Sequence, residues 1–322
     1  TKNDAGQYTG KAPAAIVDLK AAVRYLRHND SIMPGDAEKI ISNGTSAGGA
    51  LSALLGASGD NTDYEPYLKA IGAAKARDHI FAVSAYCPID NLTHADAAYE
   101  WQFNGVNDYK KMVMSQMIDW RMERKEVQGT LTAEQIKVSD ELKALFPNYV
   151  NSLGLKRADG TALTLNQQGD GSFKEYVKSY VLASAQKALD SGTDLSGLNW
   201  LTIKDGKVTD LDFKQYVQYT MRMKTPPAFD ALDLSSGEND LFGTATVAAK
   251  HFTAYGMNNG SAKGTMADAQ AIKMMNPMSY IGAKDANNAQ HLRIGHGTID
   301  RDTSLAIPVI LATKLQQSGK HV

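Results

Sequence analysis

Gly44-Thr45-Ser46-Ala47-Gly48 sets one serine in a G-x-S-x-G pentapeptide, between the run Lys39–Asn43 and the small-residue stretch Ala50-Leu51-Ser52-Ala53-Leu54-Leu55. Strand, sharp turn and helix in that order form a nucleophile elbow, which lifts a serine Oγ clear of its sheet. Such a turn brings backbone segments so close that glycine, lacking Cβ, is required beside the serine. Acyl transfer by Ser46 then needs a general base, an acid to orient that base, and backbone donors for the oxyanion. The N–H of Ala47 is placed to be one such donor. In this arrangement the acid and then the histidine follow the serine along the chain. Two acids satisfy that order. Asp240, in Ser235-Ser236-Gly237-Glu238-Asn239-Asp240, follows a strand-like run and would pair with His296. Asp300, in Gly295-His296-Gly297-Thr298-Ile299-Asp300, follows a better strand with a glycine turn, and spacing favours it only slightly.

His28, His79, His94 and His251 sit in helix, strand-start or linker patterns and read as structural or surface residues. His291 and His321 lie at strand entries, the wrong end for a base. His296, four residues before Asp300, is better placed. Cys87 is the only cysteine, so the chain has no internal disulfide and no multi-cysteine metal site. Its setting after Val83-Ser84-Ala85-Tyr86 reads as a buried thiol at a strand end. No metal or organic cofactor is implied.

Several function classes are excluded by composition. The net charge of −1 gives no electrostatic basis for binding nucleic acid or an anionic membrane. No apolar run is long enough to cross a bilayer, and Thr1 to Gly10 are polar, so any signal peptide would lie upstream. With 322 residues, 43 % apolar and 21 % charged, the chain can bury a large core.

The elements that must position Ser46 read as a helix over 14–28, a strand over 39–43, the post-elbow helix over 46–57 and a strand over 79–86. This αβαβ order predicts a doubly wound, mostly parallel sheet. Residues 107–126 read as a long amphipathic helix. Thr132-Ala133-Glu134-Gln135 and Ser172-Phe173-Lys174-Glu175 read as capping boxes, the second opening a helix to about Ser191. Further helices are expected over 209–223, 244–256 and 303–318, and a strand over 291–296. The tryptophans Trp101, Trp120 and Trp200 and most methionines fall between 89 and 276, as core or as an adaptable substrate cover.

The segment from Gly10 to Arg27, the elbow Ile41–Gly49 and the motif His296-Gly-Thr-Ile-Asp-Arg-Asp-Thr-Ser-Leu-Ala-Ile-Pro308 together resemble bacterial tannases, and the likeness runs along essentially the whole chain. The resemblance implies a partial α/β-hydrolase core from residues 1–88 and 277–322, with a large, mainly helical lid inserted at 89–276. It implies hydrolysis of galloyl esters by an acyl-serine route, with the first Asp of Asp-Arg-Asp, Asp300, as triad acid. It also implies that Lys224, Glu238 and Asp302 bind the phenolic ring hydroxyls, a role two carboxylates and an ammonium can fill. The family's triad histidine lies beyond a strand that this chain does not reach, which makes His296 a turn residue and only the fallback base. The four strands expected before the elbow, and the loop donating the second oxyanion donor, are likewise expected from a longer polypeptide or a second chain. Without them the isolated chain should be inactive, with an unpaired sheet edge. The single cysteine and the resemblance favour a cytoplasmic location. The rival readings are a feruloyl-type or general carboxylesterase on the same core, and a non-catalytic hydrolase-fold binding protein.

Overall fold

Apolar residues at helical spacing carry the first element, α1 (Ala14–His28), which buries Ile16, Val17 and Val23. The same face buries two cations, one and two turns on. Lys20 Nζ pairs with Asp78 Oδ1 at 2.8 Å and donates to the Ser58 carbonyl at 2.6 Å, while Arg24 bridges Asp78 and Glu65. Burial of Lys20 lowers its pKa, and Asp78 opposes that shift. The structure, a computed structural model, describes residues 2–118 and 121–322.

Along the chain follow β1 (Ile41–Thr45), α2 (Ala47–Ala57), α3 (Glu65–Ala70), β2 (Ala82–Tyr86) and α4 (Leu92–Phe103). Next come β3 (Asp108–Ile118), β4 (Arg121–Thr130), α5 (Ala133–Ser152), α6 (Ser172–Asp190), β5 (Leu201–Lys204), β6 (Lys207–Leu211) and α7 (Phe213–Thr220). The last are α8 (Gly237–Leu241), α9 (Ala254–Asn259), α10 (Ala269–Met274), β7 (His291–Gly295) and α11 (Ala306–Gln317).

The chain divides into two compact units. The first holds residues 1–95, 229–296 and 307–322, and the second 96–228 and 297–306. Residues 229–276, read from the sequence as part of the helical insertion, thus belong to the first unit by their contacts.

The first unit is built on a parallel sheet ordered β1-β2-β7, in register from Ile41↔Ala82↔His291 to Thr45↔Tyr86↔Gly295. His321 continues the order with an isolated parallel bridge to His291. On the other side β1 has no strand partner among the described residues, and Ile41 there is 60 % exposed. Val83, Ala85 and Leu292 of the sheet pack with Leu54, Leu55, Leu311 and Leu315 in one core.

The second unit is organised by aromatic rings and two hairpins. Trp101 lies against Phe146, Phe173 and Phe213 at centroid distances of 5.3, 5.9 and 5.7 Å. Trp200 packs on Tyr216 at 5.0 Å. Both tryptophans are core residues; Trp120 lies outside the described residues.

Four local readings need correction. Residues 108–118 and 121–130 form an antiparallel hairpin instead of a helix, aligned at its base by the cross-strand pair Lys110–Glu126 (3.0 Å) and by Thr130 Oγ1 on Asp108 (2.6 Å). Cross-strand pairing outweighs the helix pattern there; residues 119–120 of the expected helix lie outside the described residues. Over 209–223 the helix is shorter, because Asp205-Gly206, at φ 49° and 73°, turns β5 into β6 before Asp212 caps α7. Of the helix expected over 244–256 only α9 forms, starting from its Thr253 cap. Gly171, not Ser172, precedes α6, and the Ser172 hydroxyl donates to the Ala162 carbonyl. The Thr132 capping box is present as read.

Asp90, in the first unit, is 2 % exposed, and neither carboxyl oxygen has a hydrogen-bond partner among the described residues. Burial pushes its pKa up to about 8. Because the folded state holds the proton more tightly than the unfolded chain, stability from this group is fully present below about pH 4 and is lost as pH rises through about 8. Asp90→Asn, which copies the neutral acid in shape, should therefore match the parent near pH 4. It should unfold at a progressively higher temperature than the parent from pH 5 to 9, as thermal melts across that range would read. A gap that stays constant with pH would mean that Asp90 does not titrate in this way.

Candidate active site

β1 ends at Thr45 and α2 begins at Ala47, so Ser46 alone makes the turn, at φ 60° and ψ −121°. That is a strained position for a residue with a side chain. Its own backbone is held on three sides. The Ser46 N–H donates to the Tyr86 carbonyl at 2.9 Å, and its carbonyl accepts from Ala50 N (3.0 Å) and Ile89 N (3.4 Å). A Cβ at Gly44 would overlap the Gly48 carbonyl, and one at Gly49 would stand 2.5 Å from the Tyr86 carbonyl oxygen. Gly44 of the motif and Gly49 just after it thus let β1, α2 and the end of β2 meet.

Ser46 is half-buried and Ala47 exposed at the first turn of the 11-residue α2. First-turn N–H groups lack intrahelical acceptors and lie at the positive end of the helix dipole. The Ala47 N–H is therefore suited to an oxyanion beside Ser46.

β7 delivers His296 at its C-terminal end, the same end of the sheet as Ser46, because β1, β2 and β7 run parallel. The Cys87 N–H donates to the Gly295 carbonyl at 2.7 Å, and Cys87 Sγ lies within 4.8 Å of a His296 ring nitrogen. Cys87 is half-buried, at φ 44°, where a buried thiol is expected from the sequence.

Asp240, the alternative acid, does not follow a strand. It lies in α8 with its side chain 68 % exposed and paired with Lys11 Nζ at 2.6 Å. Glu238 occupies the same short helix, capped by Ser236. That helix is fixed from below by Asp230, a fully buried carboxylate. Asp230 accepts from Asn239 Nδ2 (2.7 Å), His251 Nδ1 (2.7 Å), Phe252 N (3.1 Å), Thr253 N (2.9 Å) and Thr253 Oγ1 (2.6 Å). His251 is thus structural, as read.

Asp300, Asp302 and Lys224 belong to the second unit. The Asp302 N–H donates to Asp300 Oδ1 at 2.8 Å, and Lys224 Nζ pairs with Asp302 Oδ1 at 3.2 Å. Two of the three expected substrate-binding residues are therefore neighbours, leaving an ammonium and a carboxylate side by side, 22 % and 35 % exposed.

Four residues that carried no signal in the sequence, Tyr99, Arg222, Glu100 and Tyr216, hold this pair in place. Tyr99 Oη accepts from Met223 N and Lys224 N, both at 3.0 Å, and donates to the Arg301 carbonyl at 2.8 Å. It ties the lysine segment to the aspartate segment. Arg222 and Glu100 form a fully buried ion pair at 2.5 Å, with Ser139 Oγ on the second Glu100 oxygen and the Lys224 carbonyl on Arg222 Nε. Tyr216 donates to the Thr298 carbonyl, and burial raises its pKa, as it does for Tyr99.

Comparison with known proteins follows the same lines. Residues 6–136 match the family described as BD-FAE. No curated protein sequence matches. Tannase from Lactobacillus plantarum is 50 % identical at a TM-score of 0.97, over 100 % of this chain and 69 % of that one. Fusobacterium nucleatum tannase is 55 % identical at a TM-score of 0.94, over 100 % and 70 %. A tannin acyl hydrolase solved in complex with ethyl gallate is 50 % identical at 0.92, over 100 % and 68 %. Half or more of the residues are thus shared with chains whose backbones follow this one along its whole length, and the fold is of the α/β-hydrolase type. The chain belongs to the bacterial tannase family.

Proposed function

We propose that this chain forms the catalytic body of a serine esterase that cleaves galloyl esters of tannins and simple gallates, releasing gallic acid. The observation that carries this reading is the backbone of Ser46, forced to φ 60° between β1 and α2. In the proposed mechanism, Ser46 Oγ attacks the galloyl carbonyl while a base takes its proton. The tetrahedral oxyanion is held by the Ala47 N–H and a second donor. Collapse expels the alcohol, protonated by the base, and leaves galloyl-Ser46, which water hydrolyses by the same steps.

Asp300 is assigned as the acid that orients the base. The base itself is assigned to a histidine outside these 322 residues, with His296 as the alternative within them. Lys224 and Asp302 support recognition of the ring, since a donor and an acceptor 3.2 Å apart match adjacent phenolic groups. Glu238 is assigned as a further acceptor. The complex of a close relative with ethyl gallate supports the same substrate class. Residues 89–276 are proposed as the substrate cover, with 229–276 resting on the core unit.

In active enzyme containing this chain, Ser46→Ala should lower kcat by ~10⁶-fold with unchanged far-UV circular dichroism. A serine-directed phosphonate should label Ser46, as peptide mass mapping would show; labelling elsewhere would sink the assignment.

Asp300→Asn should cost on the order of 10⁴-fold in kcat through the wrong imidazole tautomer. Asp240→Asn should be far milder, because that carboxylate faces Lys11 and solvent. Steady-state rates on methyl gallate decide between them, and a reversed order would exchange the two roles.

A site that hydrogen-bonds substrate hydroxyls leaves its own polar groups unpaired when they are missing. Methyl gallate should therefore be cleaved on the order of 10³-fold faster than methyl benzoate. Lys224→Ala should narrow that ratio, mainly by raising KM for the gallate. Equal kcat/KM on the two esters in the parent would instead favour the general carboxylesterase.

A further inference from the structure

The second unit contains a pocket of about 260 Å³ built from the end of α4, the loop before α6, and one face each of α5, α6 and α7. That volume is just below the range of drug-sized sites and suits a single substituted ring. None of the residues assigned above to catalysis or galloyl recognition lines it.

Its walls combine rings and cations. Trp101 and Phe213 stand 5.7 Å apart, and Trp101 is fixed by its indole N–H on the Gly169 carbonyl at 2.9 Å. Lys143, Lys174 and Lys214 all line it, and no carboxylate does. Lys174 reaches Asp170 outside the pocket at 2.6 Å; Lys143 donates to the neutral Asn104 Oδ1 at 3.3 Å and makes no ion pair among the described residues. Lys214 makes no ion pair among the described residues.

Gln102 adds an oriented donor. Its Oε1 accepts from Leu305 N (2.8 Å) and Ser304 Oγ (3.0 Å), which settles which end of the amide is oxygen. Its Nε2 is buried with no hydrogen-bond partner among the described residues, in a side chain 2 % exposed overall. An unmet buried donor is costly, so an acceptor that reaches it is favoured.

Positive charge without a lining acid selects an anion, and a ring-sized volume with Trp101 and Phe213 in its wall suits an aromatic one. We infer that this pocket is a second, non-catalytic binding site for a benzoate-class carboxylate. The ring would lie against the wall that Trp101 and Phe213 form together, with the carboxylate toward Lys143, Lys214 and the Gln102 amide. The inference does not use Ser46 or the esterase reading, and binding is measured without turnover.

Isothermal titration of active enzyme containing this chain, with benzoate and with neutral benzamide, tests it. Benzoate should bind, with a Kd on the order of 1 mM for so small a ligand, and benzamide about ten-fold or more weaker. Lys143→Glu with Lys214→Glu should weaken benzoate by about ten-fold or more. Lys214→Glu alone, at an exposed position, gives the same reading should the double variant lose its fold. Equal affinity for benzoate and benzamide, no binding of benzoate, or benzoate affinity unchanged in a folded variant would each overturn the inference.

Discussion

One backbone conformation governs the architecture of the core unit. A side chain at φ 60°, ψ −121° is disfavoured in isolation, by an amount of order 1–3 kcal/mol. It persists only where the surroundings determine it. Here the surroundings are the hydrogen bond from Ser46 N to the end of β2, the α2 helix started at Ala47, and two glycines that allow backbone contact where any Cβ would collide. The parallel register of β1, β2 and β7 follows the same logic, because all three strands must end together for the serine turn, Cys87 and His296 to lie at one end of the sheet.

In the second unit the equivalent constraint is electrostatic. Arg222 and Glu100 are both fully removed from water, so each depends on the other. A buried pair of this kind adds little net stability over a well-packed apolar one, yet losing one partner is severe. What it contributes is position. Arg222 lies two residues before Lys224 and Glu100 one residue after Tyr99, so the pair fixes both ends of the Tyr99 hydrogen bonds to Met223 and Lys224, from which Tyr99 reaches the Arg301 carbonyl. The Lys224–Asp302 neighbours therefore rest on a rigid polar core. Asp230 does similar work beneath Glu238, with five donors converging on one carboxylate.

The sequence alone was enough for what short-range chemistry dictates. G-x-S-x-G after an apolar run leaves one way to place Ser46, the 14–28 periodicity gives α1, and Thr132 with Gln135 caps α5. Tertiary structure decided the rest, because the deciding partners are far apart along the chain. Residues 108–118 became a strand because 121–130 pairs with them. The Asp205-Gly206 turn signal was in fact local and legible, and the helical pattern beyond it obscured it. Spacing favours Asp300 over Asp240 only slightly; the fold is what gives Asp240 a helix, solvent and Lys11. Tyr99, Arg222 and Asp230 carry no motif at all, since an isolated tyrosine, arginine or aspartate acquires its role only when burial removes water and the surrounding groups must replace its hydrogen bonds.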